Sequence, residues 1–506
     1  MKSGPSIPID LDRSSEQPLA HQIEEQIKSL ILSGSIKENH KLQSTRDLSK
    51  KLGVNRATVT TAYRRLEAQG FARSGVGSGT YVVAPESIQS DSLDQSIGSF
   101  RFSPGTEDLF RSQSTLPDFK SFKGETCNFA ALVPDEALFP VARFAECIDH
   151  VLSRDGGQAL QYSGTLGLRS LREVIAQRMA HHGAEIDPDQ ILITSGAQQG
   201  CDLIFRSFLA AGDRLIAGSP TYHNIFPLLR QMEASVSPVP VSETGLDPTA
   251  LEQAANEPNA RLIYTMPNFQ NPTGHTATVE NRRKVLDIAA AAGLPILEDD
   301  YEQDLALDGD TLPSIQSLDS QGRVIYLGTF SKSLFPGLRV GWLAASREVI
   351  DRVAALKKAS DLENSTLLQS ALCEFCDRGY YDQHLPAVRQ AIAERMAATL
   401  SALDEQMPPG TSWSKPRGGY GLWLTLPDGV RSETIYLRAG ERGVLVSPGS
   451  LFVGTGEDPG AIRLSISRTT PAEIAEGVRI LGEVIVAELS APRSGKTVLS
   501  ETPQHL

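Results

Sequence analysis

The strongest chemical signal in the sequence is a lysine set among small hydroxyl residues. Lys332 lies in the run Gly328-Thr329-Phe330-Ser331-Lys332-Ser333, and Arg339 follows it seven positions later. A lysine amine can form a Schiff base with a carbonyl compound, and an arginine guanidinium can bind phosphate through paired hydrogen bonds. Taken alone, the run could also be a basic surface loop.

Three consecutive carboxylates form a second signal. Glu298, Asp299 and Asp300 follow the apolar run 295–297, which is predicted to be a strand. Adjacent carboxylates repel one another, so a cationic group is expected beside them. Ligands of parallel sheets bind at the carboxyl ends of the strands, where these residues lie. A solvated acidic turn is the alternative.

Other turns could contact a bound cofactor. The run Ser195-Gly196-Ala197-Gln198 follows an apolar strand and opens a predicted helix, whose first amides favour a phosphate. Tyr222 could stack on a ring, and Asn271 lies in a turn after a strand. Each of these features alone has a simpler explanation as a helix cap, ordinary packing or a turn.

Together these residues meet the needs of pyridoxal phosphate. Its aldehyde needs an amine, its ring nitrogen an acidic partner, its phenolic oxygen hydrogen-bond donors, and its phosphate amides and an arginine. The sequence has a candidate for each need, in a fixed order along one domain. We therefore predict pyridoxal 5'-phosphate as the cofactor.

The elements that must position these residues alternate between short apolar strands and helical patterns. The predicted strands are residues 190–194, 214–217, 261–264, 295–298 and 324–328. Such alternation is typical of a mostly parallel sheet covered by helices. We place this α/β domain at residues 126–489 and predict a disordered polar tail over residues 490–506.

Residues 128–485 resemble a fold type I, class I aminotransferase, on the motifs above and on Gln161-Tyr162-Ser163-Gly164 and Ile462-Arg463-Leu464-Ser465. The resemblance implies a pyridoxal-phosphate transferase fold with a smaller C-terminal α+β subdomain. It also implies that Lys332, Asp299 and Tyr301 form the catalytic group, with Lys332 bonded to the cofactor and Asp299 paired with the ring nitrogen.

The same resemblance implies the remaining contacts. Asn271 and Tyr301 would hold the phenolic oxygen, Tyr222 would stack on the ring, and Arg463 would bind the α-carboxylate of an amino acid. Tyr162 would reach the phosphate of the other subunit, which implies a homodimer. The implied phosphate contacts within the chain are Gly196, Ala197, Gln198, Thr329 and Arg339.

The first 83 residues follow a different pattern. Residues 18–34 repeat apolar positions at helical spacing, and Ser44 begins a short helix through Leu52. Asn55 can cap a third helix over residues 56–69, and residues 71–83 read as a hairpin. This order is typical of a winged helix-turn-helix. A three-helix bundle with a solvated charged face is the alternative.

Charge supports the nucleic-acid interpretation. The 506-residue chain has a net charge of −13, whereas residues 1–83 carry +4 and residues 37–73 alone carry +6. A basic segment on an acidic body indicates a module that binds nucleic acid. The third predicted helix would present Arg56, Thr58 and Thr60 to the major groove of DNA.

Residues 18–83 resemble a GntR-type winged helix, on Leu42-Gln43-Ser44-Thr45-Arg46-Asp47-Leu48, Leu52-Gly53-Val54-Asn55-Arg56-Ala57-Thr58-Val59 and Gly77-Ser78-Gly79-Thr80-Tyr81-Val82. We assign residues 11–83 to this domain and residues 84–125 to a flexible linker. The expected contacts with double-stranded DNA are Ser44, Arg46, Arg56, Thr58 and Thr60, together with a wing tip at Gly77 and Gly79.

Other features exclude further classes of protein. No run approaches the ~20 apolar residues of a membrane-spanning helix, and the first residues form no apolar signal segment. The five cysteines are scattered, and the pair Cys373 and Cys376 has no second pair with which to bind a metal. We expect a cytoplasmic protein with neither a metal site nor a membrane partner.

A GntR-like winged helix joined to an aminotransferase-like domain resembles the MocR subfamily of transcriptional regulators. The resemblance implies a DNA-binding regulator whose large domain senses pyridoxal phosphate or an amino compound by Schiff-base chemistry at Lys332. A functional aminotransferase with a DNA-binding domain is the alternative. Relatives that sense γ-aminobutyrate have Arg where this sequence has Asn224, and many relatives have Gly in place of Leu132, so the effector stays open.

Overall fold

The chain consists of two structural units, whose boundary lies between Phe102 and Ser103. The computed structural model describes residues 9, 19–32, 36, 40–68, 71–75, 79–83, 102–112, 127–307 and 312–490. The smaller unit holds the predicted DNA-binding elements, and the larger unit holds the predicted cofactor residues.

The N-terminal unit contains three helices and a hairpin. They are α1 (Leu19–Leu32), α2 (Thr45–Leu52), α3 (Arg56–Ala68), β1 (Ala72–Gly75) and β2 (Gly79–Val82), with the two strands antiparallel. Ser44 caps α2 by accepting a hydrogen bond from Asp47 N, and Gly53 ends it in the left-handed region at φ 62°. The predicted winged helix-turn-helix is confirmed.

The core of this unit lies where α3 packs on α1. Val59, Ala62 and Leu66 are fully buried, as their helical spacing predicts. Tyr63 lies beside them and donates its hydroxyl to Gln43 O at 2.8 Å. Burial of this face leaves the opposite face of α3 to the solvent.

The large unit is built around an eight-stranded sheet, which the short strand β3 (Cys127–Asn128) precedes. The strands are β4 (Ile191–Thr194), β5 (Arg214–Ser219), β6 (Ser235–Ser242), β7 (Gly245–Leu246), β8 (Ala260–Thr265), β9 (Ile296–Asp299), β10 (Val324–Thr329) and β11 (Gly341–Ala344). Their order is β4-β11-β10-β9-β8-β5-β6-β7. Strands β10, β9, β8, β5 and β6 are parallel, whereas β11 and β7 are antiparallel to their neighbours. The predicted, mostly parallel sheet is confirmed.

Helices surround this sheet. Strands β4, β9, β10 and β11 are buried at every residue, as expected when both faces of a sheet are covered. The helices of the unit before its C-terminal part are α4 (Pro104–Ser112), α5 (Val141–Asp155), α6 (Arg169–His181), α7 (Ala197–Phe208), α8 (Ile225–Gln231), α9 (Pro248–Ala255), α10 (Val279–Ala292), α11 (Ile315–Leu318), α12 (Arg347–Ser360) and α13 (Thr366–Asp377). In the ranges that the structure describes, no helix could serve as a membrane span.

Helix α4 lies inside the segment predicted to be a flexible linker. Ser103 Oγ accepts a hydrogen bond from Thr106 N at 3.4 Å, and α4 packs against α8. The expectation of an unstructured segment over residues 84–125 is therefore wrong at these positions. The missed signal is a serine N-cap followed by a proline in the first helical turn. Residues 84–101 and 113–125 of that prediction lie outside the described residues.

A smaller sheet forms the C-terminal part of the large unit. Its elements are α14 (Tyr380–Gln406), β12 (Ser412–Trp413), β13 (Gly421–Thr425), α15 (Ser432–Glu441), β14 (Val444–Leu445), β15 (Ser447–Pro448), β16 (Ala461–Ser465) and α16 (Pro471–Ser490). Strands β12, β13, β16 and β15 form an antiparallel sheet, and β14 pairs with β3. The predicted α+β subdomain is confirmed. Helix α16 includes Ser490, so the predicted tail is wrong at that residue, and residues 491–506 lie outside the described part of the chain.

Candidate cofactor site and nucleic-acid interface

A cavity of about 120 Å³ lies at the carboxyl ends of the parallel strands. Asp299 ends β9, Thr329 ends β10, and Lys332 follows β10. Side chains from separate loops therefore meet where ligands of such sheets bind. The cavity is lined by Leu132, Ala197, Gln198, Tyr222, Met266, Asn271, Asp299, Tyr301, Thr329, Ser331, Lys332 and Arg339.

The cavity brings together most of the predicted cofactor contacts. Gly196 lies against Arg339, and Arg463 donates to Asn271, so both residues adjoin the cavity. Tyr162 differs, because it does not line the cavity of its own chain and is 80% exposed. Its contact with another subunit stays a prediction.

Lys332 is held at the cavity by its own side chain and by its backbone. Its Nζ donates to Leu132 O at 2.6 Å, and Tyr420 Oη donates to Lys332 O at 2.8 Å. Burial, aided by Arg463, lowers the pKa of Lys332 to about 8, against the opposing effect of Glu302. A substantial fraction of the amine is therefore neutral and nucleophilic near that pH.

Asp299 has one satisfied and one unsatisfied oxygen. Tyr264 Oη donates to Asp299 Oδ2 at 2.7 Å. Asp299 Oδ1 is buried and has no hydrogen-bond partner among the described residues. Burial raises the pKa of this carboxyl group to about 7. A protonated ring nitrogen would supply the missing donor and the missing positive charge, so the site fits pyridoxal phosphate at this point.

The turn before α7 and Arg339 form a cradle for an anion. Gly196 has φ 82° and supplies no capping side chain, so the first amides of α7 stay open to a ligand. A Cβ at this position would lie 2.7 Å from Arg339 Nη2, which donates to Ser195 O at 2.9 Å. Glycine adopts this left-handed conformation without strain and leaves room for the Arg339 guanidinium where it lies. The charge and the amides suit a phosphate.

The predicted ring contacts already have partners. Tyr222 Oη donates to Gln198 Oε1 at 3.2 Å and accepts from Asn224 Nδ2 at 2.9 Å. Tyr301 Oη donates to Phe269 O at 2.8 Å. The Asn271 Oδ1 atom accepts from Arg463. Its amide nitrogen is therefore the group that could donate to a phenolic oxygen.

Arg463 is a buried cation beside the cavity. Its Nη2 donates to Ala130 O at 2.6 Å and to Ser447 Oγ at 3.1 Å, and its Nη1 donates to Asn271 Oδ1 at 3.2 Å. It forms no ion pair with any described residue, and burial lowers its pKa to about 10. A carboxylate ligand would neutralise this charge.

Sequence reasoning missed several residues of the site. Tyr264 fixes Asp299, Tyr420 fixes the backbone of Lys332, and the contact of Leu132 O with Lys332 was not foreseen, although Leu132 itself was singled out. One signal was available for Tyr264. A tyrosine in an apolar strand needs a partner for its hydroxyl, and the nearby carboxylates offered one.

The predicted DNA contacts lie around the start of α3. Arg46 and Arg56 are exposed, and Arg56 Nε donates to Thr45 Oγ1 at 3.2 Å. Thr58 is half-buried and Thr60 Oγ1 donates to Arg56 O. Ser44 Oγ donates to Asp47 Oδ2 at 2.7 Å, which is part of its cap.

The predicted wing is described only in part. Gly79 begins β2 opposite Gly75 of β1. Gly77 lies outside the described residues, so its predicted role stays a prediction.

Comparison with known proteins identifies the family. Residues 130–481 match the family "Aminotransferase class I and II", and residues 19–82 match "Bacterial regulatory proteins, gntR family". The uncharacterized HTH-type transcriptional regulator YisV of Bacillus subtilis is 30% identical over 93% of this chain and 96% of its own length. The probable rhizopine catabolism regulatory protein MocR of Rhizobium meliloti is 29% identical over 94% of this chain and 96% of its own length. The chain belongs to the MocR subfamily of GntR regulators.

The large unit of this MocR-type regulator is also similar to aminotransferases of known structure. LysN, the α-aminoadipate aminotransferase of Thermus thermophilus, was solved with N-(5'-phosphopyridoxyl)-L-leucine. It superposes with a TM-score of 0.71 and 32% identity, over 77% of the regulator and 98% of LysN. Pyridoxal phosphate is the cofactor of the MocR-type regulator, as the sequence predicts.

Proposed function

We propose that this MocR-type regulator senses an amine at Lys332 and thereby changes how its N-terminal unit engages promoter DNA. One observation carries the proposal. A lysine with a lowered pKa and a carboxylate with an unpartnered oxygen, Asp299, line the same cavity. We further propose that the regulator works in the cytoplasm as a homodimer, with Tyr162 of each subunit directed to the site of the other.

Each residue of the cavity has a proposed task. Bound pyridoxal phosphate supplies an aldehyde that condenses reversibly with primary amines. Lys332 provides the resident amine, and Asp299 holds the positive charge of the ring nitrogen. The Asn271 amide nitrogen orients the phenolic edge of the ring, as does the Tyr301 hydroxyl once released from Phe269 O, and Tyr222 stacks on the ring face. The phosphate is bound by Arg339, Thr329 and the turn Gly196-Ala197-Gln198.

We propose an amino acid as the effector class. Arg463 is buried beside the cavity without a carboxylate partner among the described residues, so an α-carboxylate would neutralise it. Leu132 lines the same cavity beside Lys332 and so helps to set the space available to an effector. Asn224 is exposed and uncharged, so a second carboxylate finds no cation there. Pyridoxal phosphate itself is the other candidate effector.

Regulation also requires two states that differ in their contacts. A ligand shifts such an equilibrium only by the difference in its affinity for the two states. We propose that the contacts of Arg463 and Tyr301 differ between the lysine-bound cofactor and the ligand-bound cofactor. Those differences must bias the arrangement of the two DNA-binding units.

A nuclease footprint on the DNA next to this gene tests the proposed function. Pyridoxal phosphate is present throughout, and a panel of amino acids is added one at a time. We expect two protected half-sites whose protection changes with one compound, as a dimer of helix-turn-helix units requires. Protection that no compound changes would contradict the sensing role.

The second candidate function is transamination, which the complete set of lysine, carboxylate and arginine in the cavity favours. Steady turnover of an amino acid with a keto-acid acceptor, combined with no protected DNA, would favour that function over regulation.

Replacement of Arg56 with alanine tests the DNA-reading surface. Arg56 is exposed at the start of α3, so its loss should weaken specific binding by about 1–3 kcal/mol. Fluorescence anisotropy with the mapped site, at fixed salt, measures the change. Arg347→Ala removes the same charge from an exposed position of the large unit and should leave the affinity unchanged. Equal affinities for the two variants would remove Arg56 from the interface.

A further inference from the structure

The connection between α12 and α13 contacts two separate turns of the large unit. Its first four residues are Asp361, Leu362, Glu363 and Asn364, which we call the bracket. The first turn, residues 195–198, is the phosphate turn of the proposed function. The second, residues 161–164, is the Tyr162 turn. None of the four bracket residues has a role in the function proposed above.

One end of the bracket fixes the phosphate turn. Asn364 Nδ2 donates to Ser195 Oγ at 2.7 Å. Asp361 Oδ2 accepts from Gln199 Nε2 at 2.6 Å, and Gln199 Oε1 accepts from Ser195 N at 2.7 Å. The fully buried side chain of Lys357 neutralises Asp361 through a 2.7 Å contact. Ser195 is thus held by its hydroxyl and by its amide, directly before the open amides of α7.

The middle of the bracket fixes the Tyr162 turn. Both oxygens of Glu363 accept from Ser163 N at 3.0 Å, and Glu363 Oε2 also accepts from Gly164 N at 2.6 Å. Consecutive backbone amides that converge on one carboxylate form an anion site, which here is filled by a side chain of the same chain. Glu363 therefore holds the Tyr162 turn, together with Thr366, whose Oγ1 donates to Gln161 O at 2.6 Å.

The backbone of the bracket is itself constrained. Leu362 has φ 66°, in the left-handed region, and its side chain is 54% exposed. A bulky residue stays in this region only where the surrounding contacts determine its conformation. Asp361 and Asn364 are tied to one turn and Glu363 to the other, so those contacts supply the constraint. The bracket therefore links the two turns through direct side-chain contacts.

We propose that Glu363 and Asn364 are positioning residues that hold the phosphate turn and the Tyr162 turn in one frame, so that a phosphate bound at the first turn orders the second. This inference rests on the proposed placement of the cofactor phosphate at residues 195–198. Tyr162 in this turn and Leu160 directly before it are 80% and 67% exposed, so ordering the turn fixes an apolar surface of the kind that a second subunit covers.

Titration with two ligands separates a phosphate-specific role from a general structural one. The ligands are pyridoxal phosphate and pyridoxal, which lacks the phosphate, added to the full-length cofactor-free chain. Asn364→Ala removes one hydrogen bond to the phosphate turn. This variant should bind pyridoxal phosphate about 3- to 10-fold more weakly than the parent chain does. Binding of pyridoxal should change less than about twofold. Glu348→Gln, an exposed position on α12, is the matched control and should bind both ligands as the parent chain does.

Hydrogen exchange provides the second readout. Addition of pyridoxal phosphate should slow exchange of the Ser163 and Gly164 amides in the parent chain, and not in Glu363→Ala or Asn364→Ala. An equal loss of affinity for both ligands, or protection that persists in both variants, would overturn the inference. If the parent chain binds no pyridoxal phosphate, the proposed function is wrong. If it binds pyridoxal phosphate but the Ser163 and Gly164 amides gain no protection, only the present inference is wrong. Glu363→Gln, which keeps the size of the side chain, replaces Glu363→Ala if the latter does not fold.

Discussion

Replacement of Lys332 with alanine is expected to abolish covalent retention of pyridoxal phosphate while leaving both structural units folded. The Lys332 amine lines the cavity, and burial lowers its pKa to about 8, which favours reaction with an aldehyde. Its Nζ donates to a backbone carbonyl, Leu132 O, and among the described residues it forms no salt bridge with a carboxylate, so its removal breaks no buried ion pair there. Borohydride reduction followed by mass spectrometry of the peptide that contains residue 332 measures the retained cofactor.

The matched control is Lys358→Ala, an exposed lysine on α12. This variant should retain cofactor in a one-to-one ratio, whereas Lys332→Ala should retain none. A cofactor-labelled peptide elsewhere in the Lys332 variant would assign the covalent role to another lysine. Thermal unfolding of the two variants should agree to within about 1 kcal/mol, the range of ordinary substitutions.

The same variant separates DNA binding from sensing. The N-terminal unit does not contain Lys332, so Lys332→Ala should still bind the mapped DNA site. Its binding should no longer respond to the amino acid that alters the footprint of the parent chain. A response of normal size would show that the effector acts without the lysine.

The order of elements along the chain was predictable because it depends on local patterns. Apolar strands that end in Asp299 or Thr329 put those residues at one edge of a parallel sheet, whatever the details of packing. Ser44 and Gly53 likewise delimit α2 through contacts within a few residues. Such signals can be read from the sequence because the residues that form an element and those that end it lie close together along the chain.

Contacts between distant segments were not predictable in this way. Leu132 and Lys332 are separated by 200 positions and meet through a backbone carbonyl, which any residue type could supply. Glu363 binds amides of a turn 199 to 200 positions earlier, again without a side-chain signature at the turn. Helix α4 was missed for another reason, because its short length gives too few turns for a period to emerge.

Replacement of Asp299 with asparagine is expected to move stability and cofactor affinity in opposite directions. Burial raises the pKa of Asp299 from 3.8 to about 7, and one of its oxygens has no partner among the described residues. In the cofactor-free chain this group favours the folded state below pH 3.8, and the advantage is lost as the pH rises through 7. Ionisation of Asp299 above pH 7 therefore costs the folded chain about 4 kcal/mol.

Asparagine cannot ionise, so cofactor-free Asp299→Asn should gain stability relative to the parent chain as the pH rises from 5 to 8. Urea unfolding across that interval measures the difference, and Asp351→Asn, which alters an exposed carboxylate, should show no such trend. If the trend is absent in Asp299→Asn as well, Asp299 is not the buried titrating group described above.

Cofactor binding should respond in the opposite sense. The ring nitrogen loses its charged partner in a buried site, where breaking such a pair costs about 3–5 kcal/mol, or two to more than three orders of magnitude in affinity. Titration of both chains with pyridoxal phosphate at pH 8 measures this loss. The carboxylate that destabilises the folded chain without cofactor is thus the group that binds the ring nitrogen. Its buried negative charge is unfavourable only while no cationic partner is bound. If Asp299→Asn becomes more stable and keeps its affinity for pyridoxal phosphate, the two effects are independent, and Asp299 is not the partner of the ring nitrogen.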